Sequence, residues 1–276
     1  MEQTLEWSRK SLLSSPLFVP LHPVAAGFGD GDFPALHDLN ALLAVRHPPI
    51  SVHSGMPLRF VAQQTGKLPL EDQYEPRCYL RGEVQTRAGN LHDLFNALVW
   101  LTFPKIKSVI NARHYHELTS GSELPTNAGR GNVRDVNTLF DESGVIVVYA
   151  DAELAGLLRN FKWKELFWQR RERVRTGMGF YLFGHGLYEK ALRPYIGMTG
   201  QGLLLAVEPE FFSWQLAQQL AHVDGLLADQ LAQPGNFCST RDLLPVPLLG
   251  IPGWAADTNN ATYYDNAAYF RPGRRE

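Results

Sequence analysis

The chain has 276 residues and a formal net charge of −2, and 45% of its residues are apolar against 20% that are charged. This composition is that of a globular protein and excludes global disorder. The length allows one or two domains, with a core large enough to need no cross-links. The charge balance argues against bulk attraction to nucleic acid or anionic lipid, and it leaves only a local basic patch for such partners.

The two cysteines, Cys78 and Cys238, lie far apart in the sequence, and no CxxC pair occurs. This argues against a thiolate zinc site and favours free thiols in a reducing compartment. The chain starts with the acidic segment MEQTLE, and Pro16 and Pro20 interrupt its first apolar stretch, so no secretory signal is expected. The longest apolar runs are far shorter than the roughly 20 residues that span a bilayer. We therefore expect a cytoplasmic protein with no membrane span and no disulfide.

The first hundred residues contain several loop signals and four predicted elements. Short helices are expected at about 4–13 and 34–45, and the alternating pattern of residues 77–85 predicts a strand. Asn90 is a suitable N-cap for a strong helix over 91–101, whose leucines and phenylalanine keep helical spacing.

Pro104 is expected to end that helix and to open a second one over about 105–118. Residues 119–132 form a polar loop longer than most connections, which predicts a hinge, a lid or a disordered tip. A short helix over 133–143 should follow, with Asn132 as its cap and Gly144 as its stop.

The second half of the chain continues the mixture of helices and strands. The unbroken apolar run 145–149 (VIVVY) predicts a strand that is buried on both faces. Residues 203–207 predict another strand or buried segment, and helices are expected over 152–174, 185–195 and 211–231. The expected fold class is α+β, mainly helical with a few short strands. We expect residues 1–276 to form a single globular unit, with the 119–132 loop as the alternative point of subdivision.

Several segments together resemble a known family. They are 89–100 (GNLHDLFNALVW), 111–114 (NARH), Arg134-Asp135, 138–142 (TLFDE), Gly184-His185, Glu189-Lys190 and 250–254 (GIPGW). In this order they are similar to a bacterial family of unknown function, number three-zero-two-five, and the resemblance covers about residues 40–276. It implies a bacterial protein but no activity or catalytic residue.

The helix over 133–143 carries two polar stripes that suit a functional site. Asp135, Thr138 and Glu142 share one face, and Arg134, Thr138 and Asp141 share another. Two carboxylates on one face beside an arginine are able to bind a metal or to position a water. The alternative, which we favour from the sequence alone, is an ordinary solvated helix face.

Among the histidines, His185 stands out because Gly184 and Gly186 flank it at the start of a helix. The glycines allow a ligand or a backbone segment to come close, and Glu189 lies one turn further on the same face. The alternative is a helix-capping histidine with a salt-bridged glutamate. His114 is expected to be a hydrogen-bonded core residue, and His92 and Asp93 are interpreted as part of a helix start.

The basic stretch 162–175 interleaves lysines and arginines with aromatic residues. Such a pattern is able to bind nucleic acid, but it also describes an amphipathic helix with buried aromatics and solvated arginines. We favour the amphipathic helix, because glutamates dilute the stretch and the net charge is slightly negative. Nucleic acid is therefore not an expected partner, although this stretch leaves it open.

Two function classes follow from these residues. The favoured one is a hydrolase-type enzyme, metal-assisted, with His185 in a pocket beside a carboxylate of the 133–143 helix. The cofactor is left open, with a divalent metal as the candidate. The alternative is a non-catalytic binding or regulatory protein whose polar residues serve as caps and network members. The candidate catalytic residues are His185, Glu189, Asp135, Asp141, Glu142, His114 and Arg134.

Overall fold

The computed structural model describes residues 7–29, 31–119 and 130–273. Its α-helices are α1 (Arg9–Ser14), α2 (His22–Ala25), α3 (Leu36–Ala44), α4 (Tyr74–Arg81), α5 (Leu91–Thr102), α6 (Pro104–Thr119), α7 (Arg130–Ser143), α8 (Ala152–Arg159), α9 (Arg171–Gly177), α10 (His185–Ala191) and α11 (Leu216–Ala232). Its strands are β1 (Arg59–Ala62), β2 (Glu83–Thr86), β3 (Gly144–Tyr149), β4 (Met178–Leu182), β5 (Thr199–Ala206) and β6 (Leu244–Pro247). The predicted class, α+β and mainly helical with short strands, is confirmed.

A four-stranded sheet with the order β4-β3-β5-β6 forms the centre of the fold. β3 pairs with β4 in antiparallel fashion and with β5 in parallel fashion, and all but its last residue is buried. This burial confirms the prediction of a strand that is buried on both faces. The β-branched side chains of the segment suit such a position. β6 contains Pro245 and Pro247, and it lies at the sheet edge, where proline is tolerated.

The register of β3 and β4 brings the ends of two helices together. Val145 pairs with Leu182 at one end of this antiparallel pair. α7 passes into β3 without a connecting residue, and α10 begins three residues after β4 ends. Continuing the register three residues past this pair therefore places Glu142 opposite His185. The backbone N–H groups of Phe183 and Gly184 both donate to the carbonyl of Gly144, each at 2.9 Å, which closes the corner.

The predicted strand over 77–85 is wrong, because most of that segment is helical. α4 ends at Gly82, which adopts a φ of 69°, and only then does β2 begin and pair in parallel with β1. A Cβ atom at position 82 would lie 2.1 Å from the carbonyl oxygen of Pro57, so glycine is required at this turn. The apparent alternation thus spans a helix, a left-handed glycine and a short strand.

The predicted helices over 91–101 and 105–118 are confirmed as α5 and α6. Asn90 caps α5 by accepting a hydrogen bond from the backbone N–H of Asp93 at 2.9 Å. Asp224 of α11 caps α6 from outside, since its carboxylate accepts from the backbone N–H groups of Lys105 and Ile106 at 3.1 and 2.9 Å. This contact fixes α11 to the start of α6.

Other predicted helices differ from the structure, and the one over 185–195 already ends at Ala191. The segment 152–174 is not one helix: α8 ends at Arg159, Phe161 takes a φ of 57°, and a π-helical turn spans Glu165–Gln169 before α9. α11 begins later than expected, after a 3₁₀ turn over Pro209–Ser213. α7 already begins at Arg130, so Asn132 lies inside this helix instead of capping it.

Apolar side chains from both sheets and from the helices around them join in one buried cluster. Within the described part of the chain, no helix is both long and apolar enough to cross a lipid bilayer. Cys78 and Cys238 are both free, as expected from the sequence. The single-unit organisation remains a prediction.

Candidate metal centre

Three helices bring the candidate residues to one place. The cap at Asn90 puts His92 in the first turn of α5, and Glu142 stands at the last turn of α7. His185 opens α10, which packs against both of these helices. The site is therefore built from segments that are distant in sequence, and the sheet and helix packing described above position all three side chains.

The glycines beside His185 are needed for this close packing. A Cβ atom on Gly184 would lie 2.5 Å from the backbone nitrogens of Ser143 and Gly144. A Cβ atom on Gly186 would lie 2.4 Å from the Oε2 atom of Glu142. The room predicted around His185 is thus filled by the end of α7, which brings the Glu142 carboxylate to the imidazole.

Two imidazoles and one carboxylate converge on a common point. The Nε2 atoms of His92 and His185 are 3.1 Å apart. The Oε1 atom of Glu142 lies 3.4 Å from Nε2 of His185 and 3.8 Å from Nε2 of His92. The side chain of His185 is buried, with 8% of its surface exposed, whereas those of His92 and Glu142 are 33% and 42% exposed. One side of the cluster is therefore closed by protein and the other is accessible.

A second carboxylate lies next to the remaining nitrogen of each imidazole. Glu189 places its Oε2 atom 3.1 Å from Nδ1 of His92. Asp141 places its Oδ2 atom 3.6 Å from Nδ1 of His185. This nitrogen is buried and forms no direct hydrogen bond with any described residue. On metal binding, these carboxylates would favour the tautomer in which each Nδ1 carries the proton, so that each Nε2 would present a lone pair to the ion.

Asp141 is itself held by a buried lysine. Nζ of Lys107 donates to both carboxylate oxygens of Asp141, at 2.6 and 2.8 Å, and to Oδ1 of Asn96 at 2.8 Å. Burial alone would raise the pKa of Asp141, but the adjacent Lys107 ammonium and His185 outweigh it, and the pKa is lowered. Asp141 is therefore ionised at neutral pH and is oriented toward His185.

Glu142 also remains ionised. A hydrogen bond with His185 is the main cause that lowers the pKa of this carboxyl group, and it outweighs the effect of partial burial. An ionised carboxylate beside two imidazole lone pairs is the ligand set that Zn²⁺ and similar divalent ions accept.

The three distances fit a bound metal ion. Ligand atoms about 2.0–2.1 Å from a tetrahedral zinc ion are about 3.3 Å from one another. The observed separations of 3.1, 3.4 and 3.8 Å lie around this value. Octahedral coordination at about 2.1 Å would need neighbouring ligands about 3.0 Å apart, which is shorter than all three. The set fits a tetrahedral ion with one position left for water or substrate.

A cavity of about 330 Å³ opens beside the centre. Polar side chains of α4, β2, α5, α6 and α7 line it, among them Glu75, Gln85, His114, Arg134 and Thr138. Burial raises the pKa of Glu75 to about 7 and lowers the pKa of His114. The cavity is large enough for a small polar molecule, and it contains one carboxyl group, that of Glu75, which changes protonation near neutral pH.

The sequence of this chain matches a known protein family. A family described as "Protein of unknown function (DUF3025)" matches residues 58–274, which include all three converging side chains. This chain belongs to the DUF3025 family. The resemblance inferred from the sequence is confirmed, with a start at residue 58 in place of about 40. No match to the chain was found among curated proteins or among solved structures.

In this DUF3025 protein, most of the predicted site residues lie together. His185, Asp141, Glu142 and Glu189 form the centre and its supporting contacts. Arg134 and His114 line the adjacent cavity. Asp135 is exposed and is not among the residues that line the cavity, so the predicted stripe of Asp135, Thr138 and Glu142 is only partly turned toward the centre. The residues 120–129 of the predicted lid lie outside the described residues.

His92 was interpreted as part of a helix start, and the structure gives that task to its neighbours. Asn90 supplies the cap, and Asp93 accepts hydrogen bonds from Arg87 through both its carboxylate oxygens. His92 is thus left free to face His185. The sequence signal was available, because a histidine directly before an acid and two after a cap residue has no capping role of its own.

The basic stretch 162–175 matches the amphipathic interpretation. Trp163 and Phe167 are buried. Arg173 forms ion pairs with Asp151 and Glu153, and Lys164 pairs with Asp265. Acidic partners therefore neutralise much of the positive charge that a nucleic acid would require.

Proposed function

We propose that this protein is a metal-assisted hydrolase in which His92, His185 and Glu142 bind a zinc-type divalent ion. Glu189 and Asp141 act on the two imidazoles from behind, as positioning residues. The cavity beside the centre would receive the substrate. Two histidines and one glutamate with an open fourth position are the ligand set of several hydrolytic zinc sites.

The approach of the two imidazoles carries this proposal. The Nε2 atoms of the two imidazoles lie 3.1 Å apart beside Oε1 of Glu142, and a carboxylate lies next to each Nδ1 atom. Without a metal, protons on the Nε2 atoms have to bridge these three groups, as in the hydrogen bond between His185 and Glu142; a cation between them would replace those protons. A shared proton would serve one pair of nitrogens, whereas a metal ion satisfies all three ligands at once.

A zinc ion at this point would supply a bound water of lowered pKa and would polarise a substrate carbonyl or phosphoryl oxygen. The protein's own contribution would be a fixed ligand geometry, a partly closed polar cavity and groups for proton transfer. An oxygen-activating iron centre uses a related set of two histidines and a carboxylate. The ligand separations favour the tetrahedral ion, and metal analysis separates the two cases.

The test is elemental analysis of the purified full-length chain, together with an assay of zinc-dependent hydrolysis. We expect roughly one zinc ion per chain, lost in the His92→Ala and Glu142→Gln variants. The exposed His37, 83% accessible, provides the matched control His37→Ala, which should retain the metal. Iron in place of zinc would point to oxidative chemistry. A correctly folded chain that binds no divalent metal would contradict the proposal and favour the binding or regulatory alternative.

We also propose that the whole chain folds as one unit and works in the cytoplasm. The single buried cluster supports the first statement, and the two free cysteines support a reducing compartment. One cooperative unfolding transition and recovery in the cytosolic fraction are the expected observations.

A further inference from the structure

A glutamate on α4 faces the same cavity as the proposed metal ligands. Glu75 lines this cavity together with His92, Glu142 and His185. It lies deep in the protein but keeps part of its surface open to the cavity. Burial disfavours the ionised form of a carboxylate, so a glutamate at such a position lowers the stability of the fold. A carboxylate of this kind in a cavity is a candidate for a functional residue.

The orientation of Glu75 is fixed by an amide. Nδ2 of Asn111 donates to Oε2 of Glu75 at 2.5 Å and to its backbone carbonyl at 3.0 Å. Among the described residues, no lysine or arginine forms a salt bridge with Glu75. The Lys107 ammonium, whose charge lowers the pKa of Glu75, is already bound to Asp141 and Asn96. One carboxylate oxygen is therefore held by the protein, while no cation locks the group in its ionised form.

Charged and titratable groups from four helices lie around Glu75. They are Tyr74 and Cys78 on α4, Lys107 and His114 on α6, Asp141 on α7 and His185 on α10. Burial is the main cause that raises the pKa of Glu75 to about 7; Asp141 adds to it, while Asn111, Lys107 and His185 lower it. Glu75 is therefore able to accept and return a proton at neutral pH. A nearby dication would bring its pKa down from this raised value.

We propose that Glu75 is the catalytic acid–base residue of this site; this rests on the metal-assisted hydrolysis proposed above. With a small carboxylic ester or amide as the test substrate, the proton transfers balance through this one residue. Glu75 takes a proton from water as the water oxygen forms a bond to the carbonyl carbon. The bond from that carbon to the leaving oxygen or nitrogen then breaks, and Glu75 returns the proton to the leaving atom. One water is consumed, an acid and an alcohol or amine are released, and Glu75 is regenerated.

The test compares Glu75→Gln with the exposed control Glu71→Gln in the full-length, zinc-loaded chain. Glutamine keeps the contact with Asn111 but cannot accept a proton. Hydrolysis of p-nitrophenyl acetate should fall roughly 100-fold or more in Glu75→Gln, with zinc content and Tm unchanged. The wild type should lose activity as the pH falls through about 7 or somewhat below, and this limb should vanish in Glu75→Gln and return, displaced, in Glu75→Asp.

A second readout does not depend on turnover. In the cobalt(II)-loaded wild type, the visible absorption should titrate with the same apparent pKa as the acid limb, and Glu75→Gln should abolish that transition. Equal rates and equal titrations in the two proteins would overturn the role of Glu75 while leaving the metal centre intact. A chain that binds no metal would instead overturn the proposed function, and the role of Glu75 with it.

Discussion

His92 and Glu189 connect α5 to α10 through a contact of 3.1 Å between Nδ1 and Oε2. Glu189 follows His185 by four positions, so both side chains of α10 meet the same imidazole, one at each of its nitrogens. Glu189 therefore acts on the proposed metal only through His92, whose ring it orients.

We expect Glu189→Gln to weaken zinc binding by about 10- to 100-fold, because the amide no longer stabilises a proton on Nδ1 of His92. A competition titration against a chromophoric chelator measures the affinity. Glu210→Gln, an exposed glutamate in a 3₁₀ turn, is the control and should bind zinc like the wild type. Equal affinities in all three proteins would contradict the positioning role.

Removal of the metal should lower the thermal stability of the protein. A ligand at 100 times its dissociation constant stabilises the folded state by about 2.7 kcal/mol. For a chain of this size that corresponds to about 5 °C or more in Tm. Differential scanning fluorimetry with and without EDTA should show this difference in the wild type and in His37→Gln. The same treatment should leave Tm unchanged in His92→Gln, and an unchanged wild-type Tm would argue against a bound metal.

The two glycines beside His185 should respond differently to alanine. In Gly186→Ala the new methyl group would clash mainly with the end of the Glu142 side chain, 2.4 Å away, while the Glu142 carbonyl oxygen lies 3.1 Å away, so we expect weaker zinc binding with a smaller loss of stability. In Gly184→Ala it meets the backbone of Ser143 and Gly144, and we expect destabilisation by about 1–3 kcal/mol. Urea denaturation and zinc titration measure the two effects. Gly156→Ala, in α8 with no atom within 4 Å, is the control and should be neutral or stabilising.

Local sequence signals predicted the elements that depend on local rules. The cap at Asn90, the helix after it and the strand over 145–149 all follow from spacing and side-chain type. The strand predicted over 77–85 failed because Gly82 divides the segment, and the constraint on Gly82 comes from Pro57, which is distant in sequence. Local alternation does not contain that information.

The candidate site was predictable only where local sequence patterns indicate its residues. His185 was singled out by its flanking glycines, and the carboxylates of α7 by their spacing. His92 meets His185 across 93 residues of sequence, so only the packing of α5 against α10 reveals the pair. The burial of Lys107 was equally hidden, since a lysine on a helix is expected to be solvated unless a partner such as Asp141 is known.

A buried ion pair away from the cavity gives a prediction about pH. Glu83 pairs with Arg77, whose side chain is equally buried, and with Arg59. Burial alone would raise the pKa of Glu83, but the two arginines lower it. The ionised form is thus favoured by folding, and this contribution is present above the unfolded pKa of about 4.3 and is lost as the pH falls through the folded value.

Glu83→Gln should therefore destabilise the protein by about 3 kcal/mol at pH 7, because Arg77 is left buried without a counterion. The difference from the wild type should shrink as the pH is lowered below about 4. Urea denaturation at both pH values measures it. Glu153→Gln, which removes an exposed partner of Arg173, should change stability little. A deficit that stays constant with pH would rule out the charge of Glu83 as its cause.

The backbone pairing of β3 with β4 has a consequence for how a metal would be captured. Glu142 and His185 are set opposite each other by strand register, so this half of the centre is assembled as soon as the sheet forms. An arriving ion would meet two prearranged ligands and would have to recruit only His92, which reduces the ordering entropy lost on binding. A single-residue insertion between Leu182 and His185 would separate the two ligands while leaving every ligand type in place. We expect such an insertion to weaken the binding of the ion although all three ligands are still present, because the affinity depends on the strand register that aligns them.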